Sequence, residues 1–243
     1  MKDMTPTPAA VASLAPSGRL RAAINFGNGV LARRDPGGIA GGITADLARE
    51  LARQLGVPVD FVHYEQAGDV FAGLGSDAWD VCFLAIEPVR AEKIAFTEPY
   101  ILIEGVYLVP EASALRGASD VDRAGARVGV IEGSAYDLFL ARELRYAALV
   151  RRPGPGAVLA ALQDGQADLV AGVKPQLEAD ARSVPGLRLL PEAFMSIRQA
   201  MGTPRGRTAG AACLAEFIAE MKRSGFLARA FASNRIEGAS LAP

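Results

Sequence analysis

Residues 80–100 read DVCFLAIEPVRAEKIAFTEPY, and this segment says more about the architecture than any other part of the chain. Its apolar run, residues 81–86, is short and continuous, which predicts a strand buried inside a sheet. Pro88 is placed to open a short helix, because proline suits the first helical position. A rigid turn of this kind would fix the direction of the Arg90 side chain just beyond the end of the strand.

On both sides of this segment, short strand-like runs alternate with helical patterns along nearly the whole chain. Predicted strands cover residues 20–26, 57–64, 80–86, 106–109, 127–131 and 169–172. Predicted helices cover residues 45–55, 70–74, 135–145, 157–163, 208–224 and 227–232. Such alternation favours an α/β fold with parallel sheets.

Two patterns recur weakly in the same order, which suggests two lobes built on one plan. The sequence LAREL occupies residues 47–51 and returns at 140–144. A set of three residues at the same spacing, each time leading into a buried strand, also returns: Ala72, Leu74, Asp80 and then Ala160, Leu162, Asp168. Chance similarity is the alternative in a chain this rich in alanine, leucine and arginine. Two similar lobes imply a cleft between them, and clefts at domain interfaces are favoured ligand sites.

Composition excludes several classes of protein. With 243 residues, half of them hydrophobic, the chain can form one large domain or two modest ones with a real core. The formal net charge is -1 and the charges are well mixed, so no nucleic-acid partner is predicted. No apolar run reaches the roughly 18 residues that span a membrane.

Few residues suggest chemistry of their own. Cys82 and Cys213 lie far apart among apolar residues, so we expect both to be buried small hydrophobes, and a disulfide between them stays open. His63 is the single histidine and has no visible metal-binding or catalytic partners. Trp79, directly before the buried strand, is expected to be structural. No metal, cofactor or catalytic residue is predicted.

The N-terminal segment, residues 1–17, is expected to be a flexible tail because it is rich in proline, alanine and threonine. It also lacks the apolar segment of a secretory leader. We therefore expect a periplasmic protein if a leader has been removed, and a cytoplasmic one if Met1 is the native start.

Three motifs together resemble those of the family 3 extracellular solute-binding proteins. In that family a strand leads into a short turn ending in arginine, and a Phe-Ser/Thr-x-Pro-Tyr element follows, as in residues 80–100 here. Residues 42–48, GITADLA, are similar to the family's Gly-Phe-Asp-Val-Asp-Leu-Ala. Residues 127–134, RVGVIEGS, are similar to its second-lobe Val-Gly-Val-x-x-Gly-Ser. The resemblance spans about residues 20–231.

This resemblance implies an α/β fold of the type II periplasmic-binding-protein kind. Two Rossmann-like lobes would be joined by two hinge strands, with a ligand cleft between them that closes on the solute. Lobe 1 would comprise residues 18–108 plus 201–243, and lobe 2 residues 109–200.

The resemblance also implies a set of ligand-binding positions. The arginine of the motif binds an amino-acid carboxylate in the family, and the planar fork of Arg90 suits that role. The other predicted positions are Asn25, Asn28, Phe83, Ala85, Ser134, Ala135, Tyr136 and Lys174. The loop that contains Asn25 and Asn28 lacks a full Gly-x-Gly-x-x-Gly pattern, so it is expected to line the cleft rather than to bind a dinucleotide. Core packing is the alternative for Tyr136.

Several of these positions depart from the family pattern. Phe83 and Ala85 replace residues that usually carry hydroxyl groups, and Ala135 replaces a threonine. Val173, beside Lys174, stands where the family has the aspartate that binds the ligand's ammonium group. The remaining departures are Asn25 for an aspartate, and Asn28 and Ile43 for aromatic residues. Because Arg90 and Lys174 are both cations, an anionic ligand is predicted, although Glu104 or Glu132 could serve an amine.

The function implied is the substrate-binding component of a transport system of the ABC type. Its partners would be a small anionic or amino-acid-like ligand and an ABC transporter permease, and the protein would be a monomer without enzymatic activity. One alternative is an enzyme on the same scaffold, similar to cyclohexadienyl dehydratase. The other is a cytoplasmic sensor or an orphan binding module.

Overall fold

The computed structural model describes residues 5–35 and 37–243. The described chain forms two compact units, one made of residues up to Leu102 together with Arg198–Pro243, the other of Ile103–Ile197. We call them unit 1 and unit 2. Both changes of unit fall earlier in the chain than the lobe boundaries predicted after residues 108 and 200.

Helices and strands alternate in both units, so the predicted α/β class is confirmed. The helices are α1 Pro8–Leu14, α2 Ile43–Leu55, α3 Ala67–Gly73, α4 Pro88–Ala91, α5 Ala135–Glu143, α6 Pro155–Gln163, α7 Lys174–Ser183, α8 Thr208–Arg223 and α9 Phe226–Ser233. The strands are β1 Leu20–Asn25, β2 Arg33–Arg34, β3 Ala40–Gly41, β4 Val59–Tyr64, β5 Val81–Ala85, β6 Ile94–Phe96, β7 Ile101–Pro110, β8 Arg127–Ile131, β9 Ala148–Arg152, β10 Leu169–Val173, β11 Leu187–Leu189, β12 Met195–Pro204 and β13 Ala239–Leu241.

In unit 1 the central strand is β1, which runs parallel to β4 on one side and to β5 on the other. β12 pairs antiparallel with β5 and with β6. Helix α2 begins after Gly42, whose φ of +97° and close approach to the Leu31 carbonyl exclude a side chain. Its leucines at residues 47, 51 and 55 are buried, as their spacing predicts.

In unit 2 the central strand is β8, which runs parallel to β9 and β10. β7 is antiparallel to β10, and β11 is antiparallel to β7. Because β8 and β10 are parallel neighbours, the helices that follow them, α5 and α7, both start at the carboxyl edge of this sheet.

The same ion pair anchors the sheet in each unit. The Asp80 carboxylate accepts the backbone N–H of Arg21 at 2.9 Å and its guanidinium at 2.8 and 3.0 Å. The Asp168 carboxylate accepts the backbone N–H of Arg127 at 2.8 Å and its guanidinium at 2.7 and 3.2 Å. Each aspartate also donates its own N–H to the carbonyl of its arginine at 2.8 Å. The repeated spacing in the sequence therefore corresponds to a repeated structure.

The N-terminal segment differs from the prediction of a flexible tail, because residues 8–14 form helix α1. Thr7 caps the helix by accepting the N–H of Ala10 at 3.2 Å, and Leu14 is fully buried. Ser13 accepts hydrogen bonds from Arg207 and from the N–H of Gly210 on α8. So short a helix is marginal in isolation and is stabilised by packing, which composition does not reveal.

Three predictions about single residues are confirmed. Cys82 and Cys213 are both buried free thiols. Burial raises the pKa of the Cys82 thiol far above its ordinary value and that of Cys213 to about 11. The buried indole of Trp79 donates to the carbonyl of Val70 at 2.8 Å, which is a structural role. Within the described residues, no helix combines the length and apolar character needed to cross a membrane.

Candidate functional site

Arg90 occupies a rigid and buried position in unit 1. It is the third residue of α4, which follows β5 and starts at Pro88 as predicted. The guanidinium donates through Nη1 to the carbonyl oxygen of Ala85 at 3.1 Å, and the residue is only 1% exposed. Arg90 is therefore buried rather than displayed on the surface.

Burial lowers the pKa of Arg90 to about 10, while the nearby Glu87 carboxylate works in the opposite direction. The group remains positively charged at neutral pH. A charge withdrawn from water needs a partner of opposite sign, and Glu87, itself buried, supplies one. Such a preorganised guanidinium is suited to hold a ligand carboxylate with paired hydrogen bonds.

The residues on the strand before Arg90 form an apolar surface. Phe83 and Ala85 lie on one face of β5 and are buried. The ring of Phe83 meets the ring of Tyr100 edge-on, with the centroids 6.5 Å apart. Cys82 and Leu84 point to the opposite face, where they belong to a core cluster with Trp79. The predicted positions Phe83 and Ala85 therefore provide shape rather than hydrogen bonds.

Asn25 and Asn28 stabilise their own loop at the end of β1. The side-chain oxygen of Asn25 accepts the N–H of Gly27 at 3.0 Å, and that of Asn28 accepts the N–H of Val30 at 3.3 Å. These are local turns of the kind that asparagine favours. Asn25 lies at the carboxyl edge of the sheet in unit 1, as does Ala85, because β1 and β5 are parallel.

In unit 2, the predicted positions Ser134, Ala135 and Tyr136 lie at the start of α5. Ser134 caps the helix by accepting the N–H of Asp137 at 3.1 Å, and the Asp137 carboxylate accepts the N–H of Gly133 at 2.9 Å. Gly133 has a φ of +68°, which favours glycine. Asp137 also pairs with Arg151 at 2.9 Å, so this turn is firmly held.

Ala135 and Tyr136 are both buried within unit 2. Burial raises the pKa of Tyr136 above its ordinary value, while hydrogen bonds with Ser134 and the backbone of Ile131 act against that rise. Tyr136 is therefore withdrawn from bulk solvent, and its predicted contact with a ligand stays a prediction.

Lys174 does not present an uncompensated charge. Its ammonium group contacts the Glu104 carboxylate at 2.5 Å, and both side chains are partly exposed. The hydrogen bond with Glu104 raises the pKa of Lys174, and Glu178 adds to the same effect. The strand register explains the contact. Val173 on β10 is paired with Gly105 on the antiparallel strand β7, so Lys174 and Glu104 lie at the same edge of the sheet. Lys174 therefore adds no unpaired positive charge, and its predicted contact with a ligand stays a prediction.

The other residues considered from the sequence lie outside such arrangements. Ile43 is buried in the core of unit 1, and Val173 is the N-terminal capping residue of α7. Glu132 is exposed. His63 is exposed and contacts the ring of Phe26 edge-on at 5.1 Å. Over residues 5–35 and 37–243, no cluster of three potential metal ligands occurs.

Sequence reasoning missed one polar residue near Arg90. Gln199 is 6% exposed and lies on β12, directly opposite Ala85. Neither this strand nor its buried glutamine was predicted, because residues 195–204 mix polar and apolar types. The only signal was a polar side chain two positions after Ile197 and two before Met201, both of which are buried.

Comparisons with known proteins identify both the family and the fold. Residues 31–233 match the family described as bacterial extracellular solute-binding proteins, family 3. Comparison with curated proteins gives no match. A solved structure of a mutant of ArgBP from T. maritima is 22% identical, with a TM-score of 0.78 over 94% of this chain and 100% of that one.

Two further solved structures have the same fold with other descriptions. The ancestral amino acid-binding protein AncCDT-1, a precursor of cyclohexadienyl dehydratase, is 20% identical, with a TM-score of 0.76 over 92% of this chain and 97% of that one. A histidine kinase sensor domain with similarity to periplasmic binding proteins is 19% identical, with a TM-score of 0.78 over 92% and 98%. These likenesses confirm the predicted α/β fold with two lobes, that of type II periplasmic binding proteins.

Proposed function

Because this chain belongs to the bacterial extracellular solute-binding proteins of family 3, we propose that it binds a small carboxylate or amino-acid-like solute through Arg90. As part of the same proposal, it serves a transport system of the ABC type in the periplasm and delivers the solute to a permease. The observation that carries the proposal is the buried guanidinium of Arg90, held by the Ala85 carbonyl at the carboxyl edge of a parallel sheet. Ligands of open α/β sheets commonly bind at this edge.

The charges in unit 2 refine the class of solute. No acidic residue occupies position 173, and Glu104 is already paired with Lys174. The resemblance to the family implies that the residue at position 173 would otherwise be the aspartate that binds a ligand's ammonium group. The proposed solute is therefore a carboxylate that needs no ammonium group, and such acids should bind at least as well as the matching amino acids.

Binding is tested by calorimetry on purified wild-type protein and on Arg90→Lys. This variant keeps the positive charge beside Glu87 but loses the planar fork, so affinity should fall by about 2 kcal/mol with the fold retained. Arg198→Ala is the matched control, because Arg198 is exposed on the strand next to β5. Unchanged affinity in Arg90→Lys would remove Arg90 from the site. Mass spectrometry of small molecules released from the purified protein identifies the natural ligand.

Two other functions are proposed for the same scaffold. The likeness to the dehydratase precursor motivates an enzymatic alternative, and the likeness to the kinase sensor domain motivates a sensory one. Conversion of a bound cyclohexadienyl acid would establish the enzyme, and reversible binding without turnover would establish the binding protein. Transporter genes beside the coding gene would favour uptake over sensing.

A further inference from the structure

Gln199 is a polar residue with little exposure to solvent. It is 6% exposed, and its side chain makes no hydrogen bond to the described residues. Its amide can therefore bond with water or with a ligand. The amide offers two N–H donors and one carbonyl acceptor, and it carries no charge.

The strand register places Gln199 beside the residue that holds Arg90. Gln199 is opposite Ala85, and the N–H of the following residue, Ile86, donates to the carbonyl of Arg198 at 2.9 Å. Ala85 and Gln199 therefore form a non-hydrogen-bonded pair, in which the two side chains share one face and approach most closely. The carbonyl of Ala85 points away from β12 and accepts from Arg90. Arg90 and Gln199 thus flank the same alanine at the carboxyl edge of β5.

Ala85 contributes only a methyl group to this face of the sheet. The neighbouring residues on that face, Phe83 and Met201, are apolar and buried. Gln199 is therefore a polar side chain directly opposite Ala85, whose carbonyl holds Arg90. A solute carboxylate on the guanidinium would bring the adjacent carbon of the solute toward an uncharged amide rather than toward an acid.

We propose that Gln199 is a specificity-determining residue that hydrogen-bonds the substituent next to the ligand's carboxylate, and that this substituent is an uncharged hydroxyl or oxo group. The inference rests on the proposed function, in which Arg90 holds the carboxylate. The amide oxygen accepts from a hydroxyl and the amide N–H donates to an oxo oxygen, so 2-hydroxy and 2-oxo acids are both recognised. An ammonium group would find a neutral partner in place of the carboxylate it requires.

The test compares acids that differ only in that substituent. Affinities of 2-hydroxypentanoate, 2-oxopentanoate and pentanoate, with shorter and longer homologues, are measured by calorimetry on wild-type protein and on Gln199→Leu. Wild type should prefer the substituted acids by about tenfold, which corresponds to one hydrogen bond of about 1.4 kcal/mol. In Gln199→Leu the preference should disappear, while the affinity for pentanoate stays the same.

Stability separates this role from a structural one. Because the Gln199 amide makes no hydrogen bond to the protein, replacing it by an apolar group of similar size should leave the melting temperature unchanged or raise it. Gln199→Met repeats the test with an unbranched side chain, and Arg198→Ala is the control on the adjacent position. A preference that persists in both Gln199 variants, or no preference in wild type, overturns the inference.

The two proposals fail in different ways. Arg90→Lys should weaken all three acids equally and leave their ratio unchanged, whereas Gln199→Leu should change the ratio alone. If no carboxylate in the series binds wild-type protein, the proposed function fails and the inference fails with it. If the acids bind through Arg90 without discrimination at Gln199, only the inference fails.

Discussion

Unit 1 and unit 2 use the same aspartate–arginine anchor in different surroundings. Asp80 is fully buried and pairs with both Arg21 and Arg207, at 2.8 and 2.6 Å. Asp168 keeps 41% of its side chain exposed and pairs with Arg127 at 2.7 Å. The two anchors therefore have the same local geometry but should contribute differently to stability, because water screens the Asp168 pair more strongly than the Asp80 pairs. The two units thus share the geometry of the aspartate–arginine anchor but not its expected contribution to the free energy of unfolding.

The largest effect is expected for Asp80→Asn. The substitution leaves two arginines without their buried counter-charge, although both also contact Asp77 at 3.2 and 3.0 Å. We expect the free energy of unfolding to fall by about 3 kcal/mol. Urea denaturation followed by circular dichroism measures it. A loss below that of the equivalent change in unit 2 would show that burial does not distinguish the two anchors.

The stability that Asp80 provides should depend on pH. Burial alone would raise the pKa of Asp80, but hydrogen bonds from Arg21 and Arg207 outweigh it and hold that pKa below its ordinary value. A lowered carboxyl pKa adds stability that is complete above the unfolded-state pKa of about 4 and is lost as the pH falls below it. Wild-type protein should therefore lose stability in acid more steeply than Asp80→Asn. Thermal melts from neutral pH to about pH 3 compare them, and parallel curves would exclude Asp80 as the source.

A smaller effect is expected for Asp168→Asn, the matched change in unit 2. Its pKa is also lowered, first by the hydrogen bond from Arg127, but the pair is partly exposed. We expect a loss of about 0.5–1 kcal/mol, which added salt should reduce further. Denaturation with and without salt measures both quantities. An effect equal to that of Asp80→Asn would contradict the comparison.

The smallest effect on stability is expected for Lys174→Met, at the carboxyl edge of unit 2. The Lys174–Glu104 pair is exposed and contributes at most about 1 kcal/mol. Its removal leaves Glu104 available to a ligand ammonium, so amino acids should gain about fivefold in affinity relative to their 2-oxo analogues. Thermal-shift ranking at equal concentration checks this, with Glu104→Gln as the control that should not favour amino acids.

Local sequence patterns predicted much of the fold because they act over short distances. The strand at residues 127–131 and the start of α5 at Ala135 were located to the residue. Strands β9 and β12 were missed because their residues are only partly apolar, and β12 also depends on pairing with the distant strand β5. Helix α1 was missed because α8, nearly two hundred residues away, stabilises it.

The candidate site was predictable only where one motif contained it. Arg90 follows its strand within a few residues, so its position could be inferred, whereas the burial that lowers its pKa could not. Lys174 and Glu104 are 70 residues apart, and only the pairing of β7 with β10 brings them together. Gln199 meets Ala85 through the same kind of long-range pairing. Closure of the lobes on a ligand stays a prediction from the sequence.

The chain leaves the ribosome N-terminus first, and it passes from unit 1 to unit 2 and back to unit 1. The two units therefore become complete at different times during synthesis. Unit 2 is one continuous segment, Ile103–Ile197, and can fold as soon as it has emerged. Unit 1 cannot complete its sheet until β12 arrives to pair with β5. The last partners of Asp80, the Thr203 hydroxyl that donates to its carbonyl at 2.9 Å and the Arg207 guanidinium, come with that same late segment. The first part of unit 1, up to Leu102, therefore waits with its buried aspartate incompletely paired until Arg198–Pro243 has been translated.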